Sequence, residues 1–220
     1  SDTAVEALFR KAGIVRCHSR EELIAVASIF MYPELKGENL AIITHAGGPA
    51  VMLTDTLSSA GLNIPPISGP ESQELRHELL PGSSVANPID FLATGTSKHL
   101  EKIIDYCNQK FDHIDGMVVI FGSSGLFPVH DVYDVIDEKL KTGKKCIFPV
   151  LPSVINAKQE IEHFISKGRI NFPDEVLFGQ ALAKVYHASE PVFEKIALSG
   201  IDDSRIRSIE KKKKNGYLDP

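Results

Sequence analysis

The sequence predicts an α/β fold, a doubly wound parallel sheet of five strands, and two observations carry that expectation. From residue 37 onward short apolar runs alternate with segments of helical period, and glycine or proline marks nearly every junction between them. Strands covered by helices on both faces are buried on both sides, so they read as continuous apolar runs and not as an alternation of apolar and polar positions.

Residues 3–11 read as a helix with Val5, Leu8 and Phe9 on one side, and Gly13 stands where a helix C-terminus favours glycine. A short strand is expected at 14–17. Ser19 and Glu22 have the spacing of a capping box, opening a helix that runs to about Tyr32 before Pro33 stops it. This helix, strand and helix hold too little sheet to close a core, so residues 1–36 are expected to be the remnant of a preceding α/β domain. The chain starts on Ser1 and not on methionine, which points the same way.

The alternation then begins. A strand at 40–44 leads to a helix at 49–60 ending on Gly61, a shorter strand at 63–67, and a helix at 71–80 stopped by Pro81-Gly82. A longer loop passes through Asn87-Pro88-Ile89-Asp90 before a helix at about 97–110. Residues 116–121 form the most apolar strand, as expected at the centre of the sheet. A helix at 129–141, a strand at 145–151, a helix capped by Asn156 and closed by Gly168, a last short strand at 169–172 and a helix from Pro173 to about Tyr186 complete the series. Five strands with right-handed crossovers give a flavodoxin-like order, 2-1-3-4-5, over residues 37–188. From Ala188 onward the text turns polar, with Pro191 and the run Lys211 to Lys214, and residues 189–220 are expected to be a linker.

Composition narrows the function. A net charge of −5 argues against a nucleic-acid surface, and an apolar content of 43% argues against disorder. Cys17, Cys107 and Cys146 lie far apart with no CxxC pair, so neither a zinc site nor a disulfide framework is suggested, and a reducing cytoplasm fits. No apolar run approaches the ~20 residues needed to cross a bilayer. Neither nucleic acid nor membrane is expected as a partner. His18, His77, His99, His113, His130, His163 and His187 are scattered without ligand spacing, and no metal site is expected.

In a doubly wound sheet ligands bind beyond the carboxyl ends of the strands where the strand order reverses, here between the first and third strands. The loops following those two strands are Thr44-His45-Ala46-Gly47-Gly48-Pro49 and Phe121-Gly122-Ser123-Ser124-Gly125. Both are glycine-rich and each is expected to run into a helix. Gly47 and Gly48 lack the side chains that would hold an anion away, and Pro49 suits a first helical position. Free N–H groups of Ala50 and Val51, helped by the helix dipole, would then make a phosphate cradle. A tight strand-to-helix turn uses glycine for purely structural reasons too, and one loop alone does not separate the two. GxGxxG and GxxxxGK[ST] are missing, so a self-sufficient nucleotide site is not expected, and the first strand is followed by His45-Ala46-Gly47-Gly48 where an FMN site would have a Ser/Thr-rich loop. His45 is a candidate phosphoryl acceptor or a polar loop residue, and no acidic residue in its segment is spaced to orient its ring. Asn87-Pro88-Ile89-Asp90 reads by itself as a structural turn.

Thr44-His45-Ala46-Gly47-Gly48-Pro49, followed at loop distance by Asn87-Pro88-Ile89-Asp90, is similar to the pattern of ADP-forming acetyl-CoA synthetases and related acyl-CoA ligases of the succinyl-CoA synthetase superfamily. The stretch from Ser1-Asp2-Thr3-Ala4 through Ser19-Arg20-Glu21-Glu22-Leu23 resembles the segment immediately C-terminal to the Ser-His-Thr-Gly active-site loop of these enzymes. The resemblance implies that the phosphorylated histidine lies before Ser1 and that this chain carries no catalytic residue. It also implies that the helix opening at Gly48-Pro49 aims its N-terminus at the phosphoryl group, with Gly122, Ser123, Ser124 and Gly125 lining the pocket and Asn87 and Asp90 bordering it. His45 stands where the family pattern has asparagine. The family converts acyl-CoA, ADP and phosphate into acid, CoA and ATP, and its CoA-binding and ATP-grasp parts, which handle CoA, ATP or ADP, and Mg, are expected as partner domains or subunits. This chain alone is expected to bind none of those cofactors and to be inactive. The alternative implied by related domains is a non-catalytic ligand-sensing module of a protein acetyltransferase.

Overall fold

A computed structural model describes residues 1–191 apart from 126, 127 and 189. Except for Glu190 and Pro191, the expected linker at 189–220 with its lysine run lies outside the described residues. The order is α1 (Asp2–Lys11), α2 (Arg20–Ile29), β1 (Leu40–Thr44), α3 (Gly47–Ser59), α4 (Pro70–Glu78), β2 (Ile89–Asp90), α5 (Ser97–Gln109), β3 (Gly116–Ile120), α6 (His130–Thr142), β4 (Cys146–Val150), α7 (Lys158–Ser166) and α8 (Glu175–Tyr186).

The sheet is parallel throughout, in the order β2-β1-β3-β4. Every residue of β1, β3 and β4 is buried, which is why these strands read as apolar runs. Their side chains alternate between two cores. Ala41, Ile43, Met117, Val119 and Ile147 join residues of α4 to α7, such as Leu75, Ile103, Ile136 and Phe164. Leu40, Ile42, Val118, Ile120 and Phe148 join α2, α3 and α8, through Val26, Ile29, Leu53, Phe178 and Leu182. The opening unit thus divides: α2 buries Ala25, Val26 and Ile29 in that second core, whereas α1 buries nothing among the described residues. Residues 14–17 form no strand. The capping box is half made, since Ser19 Oγ accepts the Glu22 N–H at 3.1 Å while the Glu22 carboxylate takes the His18 N–H and Lys184 of α8.

Among the described residues there are four strands and not five, because the two edges are made differently from the expectation. Residues 63–67 contribute one bridge, Asn39 to Asn63, and Pro65 and Pro66 have no N–H to continue a ladder. The carboxyl half of the β1 edge is instead paired with Ile89 and Asp90, expected to be loop. Between the two contacts sits the Asn87 side chain. Its Oδ1 accepts the Ile42 N–H, and its Nδ2 donates to the Leu40 and Pro65 carbonyls, each at 2.9 Å. One amide group therefore serves as the missing strand backbone. At the other edge Phe172 makes a single parallel bridge to Val150, and the Asn171 side chain likewise pairs with both backbone groups of Leu151. The order of segments is preserved, and asparagines do part of the work of strands.

Candidate functional site

β1 and β3 end level with each other, Thr44 opposite Ile120, so their following loops open side by side. Thr44 is fully buried, and its hydroxyl accepts the Ala46 N–H at 3.0 Å and donates to the Ala46 carbonyl at 2.9 Å. That turn spends the Ala46 amide and starts α3 at Gly47, two residues earlier than expected. The N-cap, Ala46, has no side chain able to bond the first turn. Among the described residues the N–H groups of Gly47 and Gly48 find no partner, and Pro49 has none to offer. In a helix opening at Gly47, Val51 falls where the i to i−4 ladder takes its N–H group, whereas the Ala50 N–H makes no hydrogen bond to the Ala46 carbonyl, which accepts from the Thr44 hydroxyl. Ala50 is buried in the core and Val51 is exposed. The donors at the mouth are thus Gly47 and Gly48, one turn earlier than expected, with Ala50 behind them.

Among the described residues nothing demands glycine at these two places. Neither has a positive φ. Among the described residues a Cβ on Gly48 would meet nothing within 4 Å, and one on Gly47 would meet only Asp90 Oδ2, at 3.6 Å. Their effect is to leave the helix mouth open.

The second loop differs from its expected form. Ser123 donates its N–H to Ser153 Oγ at 2.8 Å, and Gly125 donates its own to Ser123 Oγ at 3.3 Å. Gly122 is small because a Cβ there would lie 2.7 Å from Ser153 Oγ. The loop does not run directly into a helix, as α6 begins at His130 behind an N-cap, Val129, that makes no side-chain cap bond. Ser124 and Gly125 are exposed, and residues 126 and 127 lie outside the described residues. This loop shapes the crevice, while two of its amides are engaged inside the protein. Ser153 comes from the loop after β4, and no local motif in the sequence marks it.

His45 is 8% exposed, its ring 4.2 Å from that of Phe121 and its Nδ1 buried without a hydrogen-bond partner among the described residues. Burial holds its pKa below the ordinary histidine value, against the opposing pull of the Ile120 backbone and the charge of Asp90. The ring is neutral at pH 7, and a buried Nδ1 is not presented to a phosphoryl donor. The acidic neighbour missing from its own segment comes from β2: Asp90 faces the α3 mouth, with Oδ1 held by the Leu92 N–H at 2.9 Å. Asn87 is engaged by the β1 edge and does not border the crevice with its amide.

A histidine with a depressed folded pKa binds fewer protons than it does in the unfolded chain. Its contribution to stability is therefore present above pH 6.5 and is lost as pH falls below that value. The midpoint of urea unfolding is expected to fall between pH 7.5 and 5.5, and less steeply in His45→Phe. Equal slopes for the two chains would show that His45 does not titrate as its burial requires.

Among the described residues no group of three or more His, Cys, Asp or Glu side chains is arranged to hold a metal ion. No described helix is long and apolar enough to cross a membrane.

No family model matches the chain. Over 157 residues it is 35% identical to the alpha subunit of acetate–CoA ligase [ADP-forming] II of Pyrococcus furiosus, covering 70% of this chain and 34% of that one. It is 26% identical over 152 residues to the 4-hydroxybutyrate–CoA ligase [ADP-forming] of Nitrosopumilus maritimus, covering 69% and 22% of the two chains. The chain thus spans about a third or less of the length of these two relatives. Among solved structures it resembles the dinucleotide forming acetyl-coenzyme A synthetase 1 of Ca. Korarchaeum cryptofilum, in its complex with phosphate and ADP. The TM-score is 0.75 at 20% identity over 84% of this chain and 40% of that one. A protein of Pyrococcus horikoshii OT3 gives 0.76 at 21% identity, over 84% and 43%. These structural likenesses establish a shared fold.

Proposed function

The chain is a homologue of one section of the ADP-forming acyl-CoA synthetases, and from that premise we propose that it is the part of such an enzyme that receives a phosphoryl group at the N-terminus of α3. In the overall reaction acyl-CoA, ADP and phosphate become acid, CoA and ATP by way of a phosphohistidine. On this reading the histidine, the CoA site and the ATP-grasp site with its Mg belong to other parts of the enzyme. Residues 1–36 then continue a preceding domain, 37–188 form the CoA-ligase domain and 189–220 lead toward the nucleotide-binding part, the whole acting in the cytoplasm.

The open mouth of α3 carries the proposal. Among the described residues two uncommitted N–H groups, Gly47 and Gly48, stand at the positive end of a 13-residue helix with no side chain across them. Such a terminus favours a nearby anion by about 0.3 to 1 kcal/mol when exposed and up to about 2 when partly buried. It binds without presenting a nucleophile or a proton, which suits a group that must leave again. Asp90, beside Gly47, opposes an anion at the same mouth and keeps the affinity of the isolated chain low.

Titration of the 15N-labelled chain with sodium phosphate is expected to move the amide resonances of Gly47 and Gly48 saturably, with smaller shifts through Val51. The same preparation is expected to form no ATP from acyl-CoA, ADP and phosphate. Unmoved resonances at Gly47 and Gly48 at tens of millimolar phosphate would end the binding proposal, and ATP formation would end the assignment of catalysis to other domains.

A further inference from the structure

We propose a second oxyanion site, separate from the α3 mouth, in a cavity of about 420 Å³ between the start of α4 and the segment 82–86 that leads toward β2. It takes a small phosphate or carboxylate group, and four groups of the protein make it.

The first two are amides. The N-cap of α4, Gly69, has no side chain to bond the first turn, and Pro70 at the first helical position has no N–H. The ladder begins with the Gln73 N–H on the Gly69 carbonyl at 3.2 Å, so the N–H groups of Glu71 and Ser72 are left without partners among the described residues. Gly69 has a φ of 103°, which glycine adopts without strain and serine, threonine or aspartate does not, so no side-chain cap forms here and those donors are left for something outside the chain.

The third group is independent of the helix. Ser83 lines the same cavity, is 3% exposed, and its hydroxyl is one of two buried side-chain groups among the described residues with no hydrogen-bond partner. Its own N–H is engaged by the Leu80 carbonyl at 3.0 Å. Rotation about the Cβ–Oγ bond lets that hydroxyl donate to a bound oxygen or accept from water, and a buried orphan hydroxyl requires one or the other. The fourth is Arg76, which lines the cavity one turn along α4 from Ser72 and has no ion-pair partner among the described residues. A guanidinium matches the paired oxygens of phosphate and carboxylate alike. Glu71 acts in the opposite direction, its Oε2 3.6 Å from where a Cβ on Gly69 would lie. It repels an anion at the mouth and gives the proposal a test of sign.

The full 15N-labelled chain is titrated with sodium phosphate, with sodium acetate and, as a control for ionic strength, with sodium chloride. Saturable shifts of the Glu71, Ser72 and Ser83 amides are expected with phosphate or acetate and not with chloride, and the oxyanion giving the tighter curve identifies the group preferred. Arg76→Gln and Ser83→Ala are each expected to weaken binding at least about fivefold, the loss of one good hydrogen bond to a charged group. Glu71→Gln is expected to tighten it about twofold to fivefold. Gly48→Asp is expected to leave these shifts unchanged, which separates this cavity from the α3 mouth. Ser83→Ala is checked by its unfolding midpoint, and Arg76→Gln, at an exposed position, carries the test should that variant not fold. Equal shifts with chloride, unmoved resonances, or binding indifferent to Arg76→Gln would mean that Ser83 is satisfied by water alone and would overturn the site.

Discussion

Asn87→Ala is expected to lower the unfolding free energy by about 3 kcal/mol. The side chain makes three hydrogen bonds to partly buried backbone groups, and the partners left behind, the Ile42 N–H and the Leu40 carbonyl, face a gap in the sheet edge. Each such bond contributes about 1 kcal/mol, and an unpaired partner adds to the loss. Asn87 also has φ of 76°, a region asparagine tolerates better than alanine. Asn87→Asp is expected to cost at least as much, because a carboxylate accepts from Ile42 but would face two carbonyl oxygens where the amide donates. Asn63→Ala, at an exposed bridge on the same edge, is expected to cost less than about 1 kcal/mol. Urea denaturation of the three variants measures this directly. An Asn87→Ala midpoint matching that of the parent would show that the edge of β1 is held by Ile89 and Asp90 alone.

Gly48→Asp is expected to separate stability from binding. An aspartate in the first turn of α3 interacts favourably with the helix dipole, and a Cβ at this position meets nothing within 4 Å among the described residues. The chain should therefore be unchanged in stability or gain up to about 1 kcal/mol. The same carboxylate stands where the phosphoryl group is proposed to sit. Repulsion between an anion and a fixed charge about 5 Å away, partly screened by water, lowers phosphate affinity at the α3 mouth by about tenfold or more. The paired measurement is an unfolding curve and a phosphate titration read at the Gly47 amide. Retained phosphate binding by the variant would place the phosphoryl group somewhere other than this helix mouth.

These two positions also mark how far the chain could be understood before its structure. Gly47, Gly48 and Pro49 are legible because their properties are local: an absent side chain and an absent N–H mean the same thing in any helix start. The place of the helix start was not legible to within two residues, because Thr44 turns the chain through a bond between its hydroxyl and Ala46. Asn87 was readable as part of a turn, but nothing local announces that its amide completes a strand 45 residues earlier in the chain. The same limit applies to Ser153, which forces Gly122 to be small and engages the amide of Ser123 from 30 residues away.

Sequence by itself determined the layered α/β architecture and the order of its segments, since burial on both faces leaves continuous apolar runs and helices leave a period that survives any detail of packing. It also located the glycine-rich mouth at the carboxyl end of β1. The tertiary structure alone decided which amides at that mouth are free, that β2 is Ile89 and Asp90 and not residues 63–67, and that Asp90 faces both Gly47 and His45. The physical reason is that apolar burial is non-directional and is written in composition along the chain, whereas a hydrogen bond is directional and depends on where a distant partner is placed.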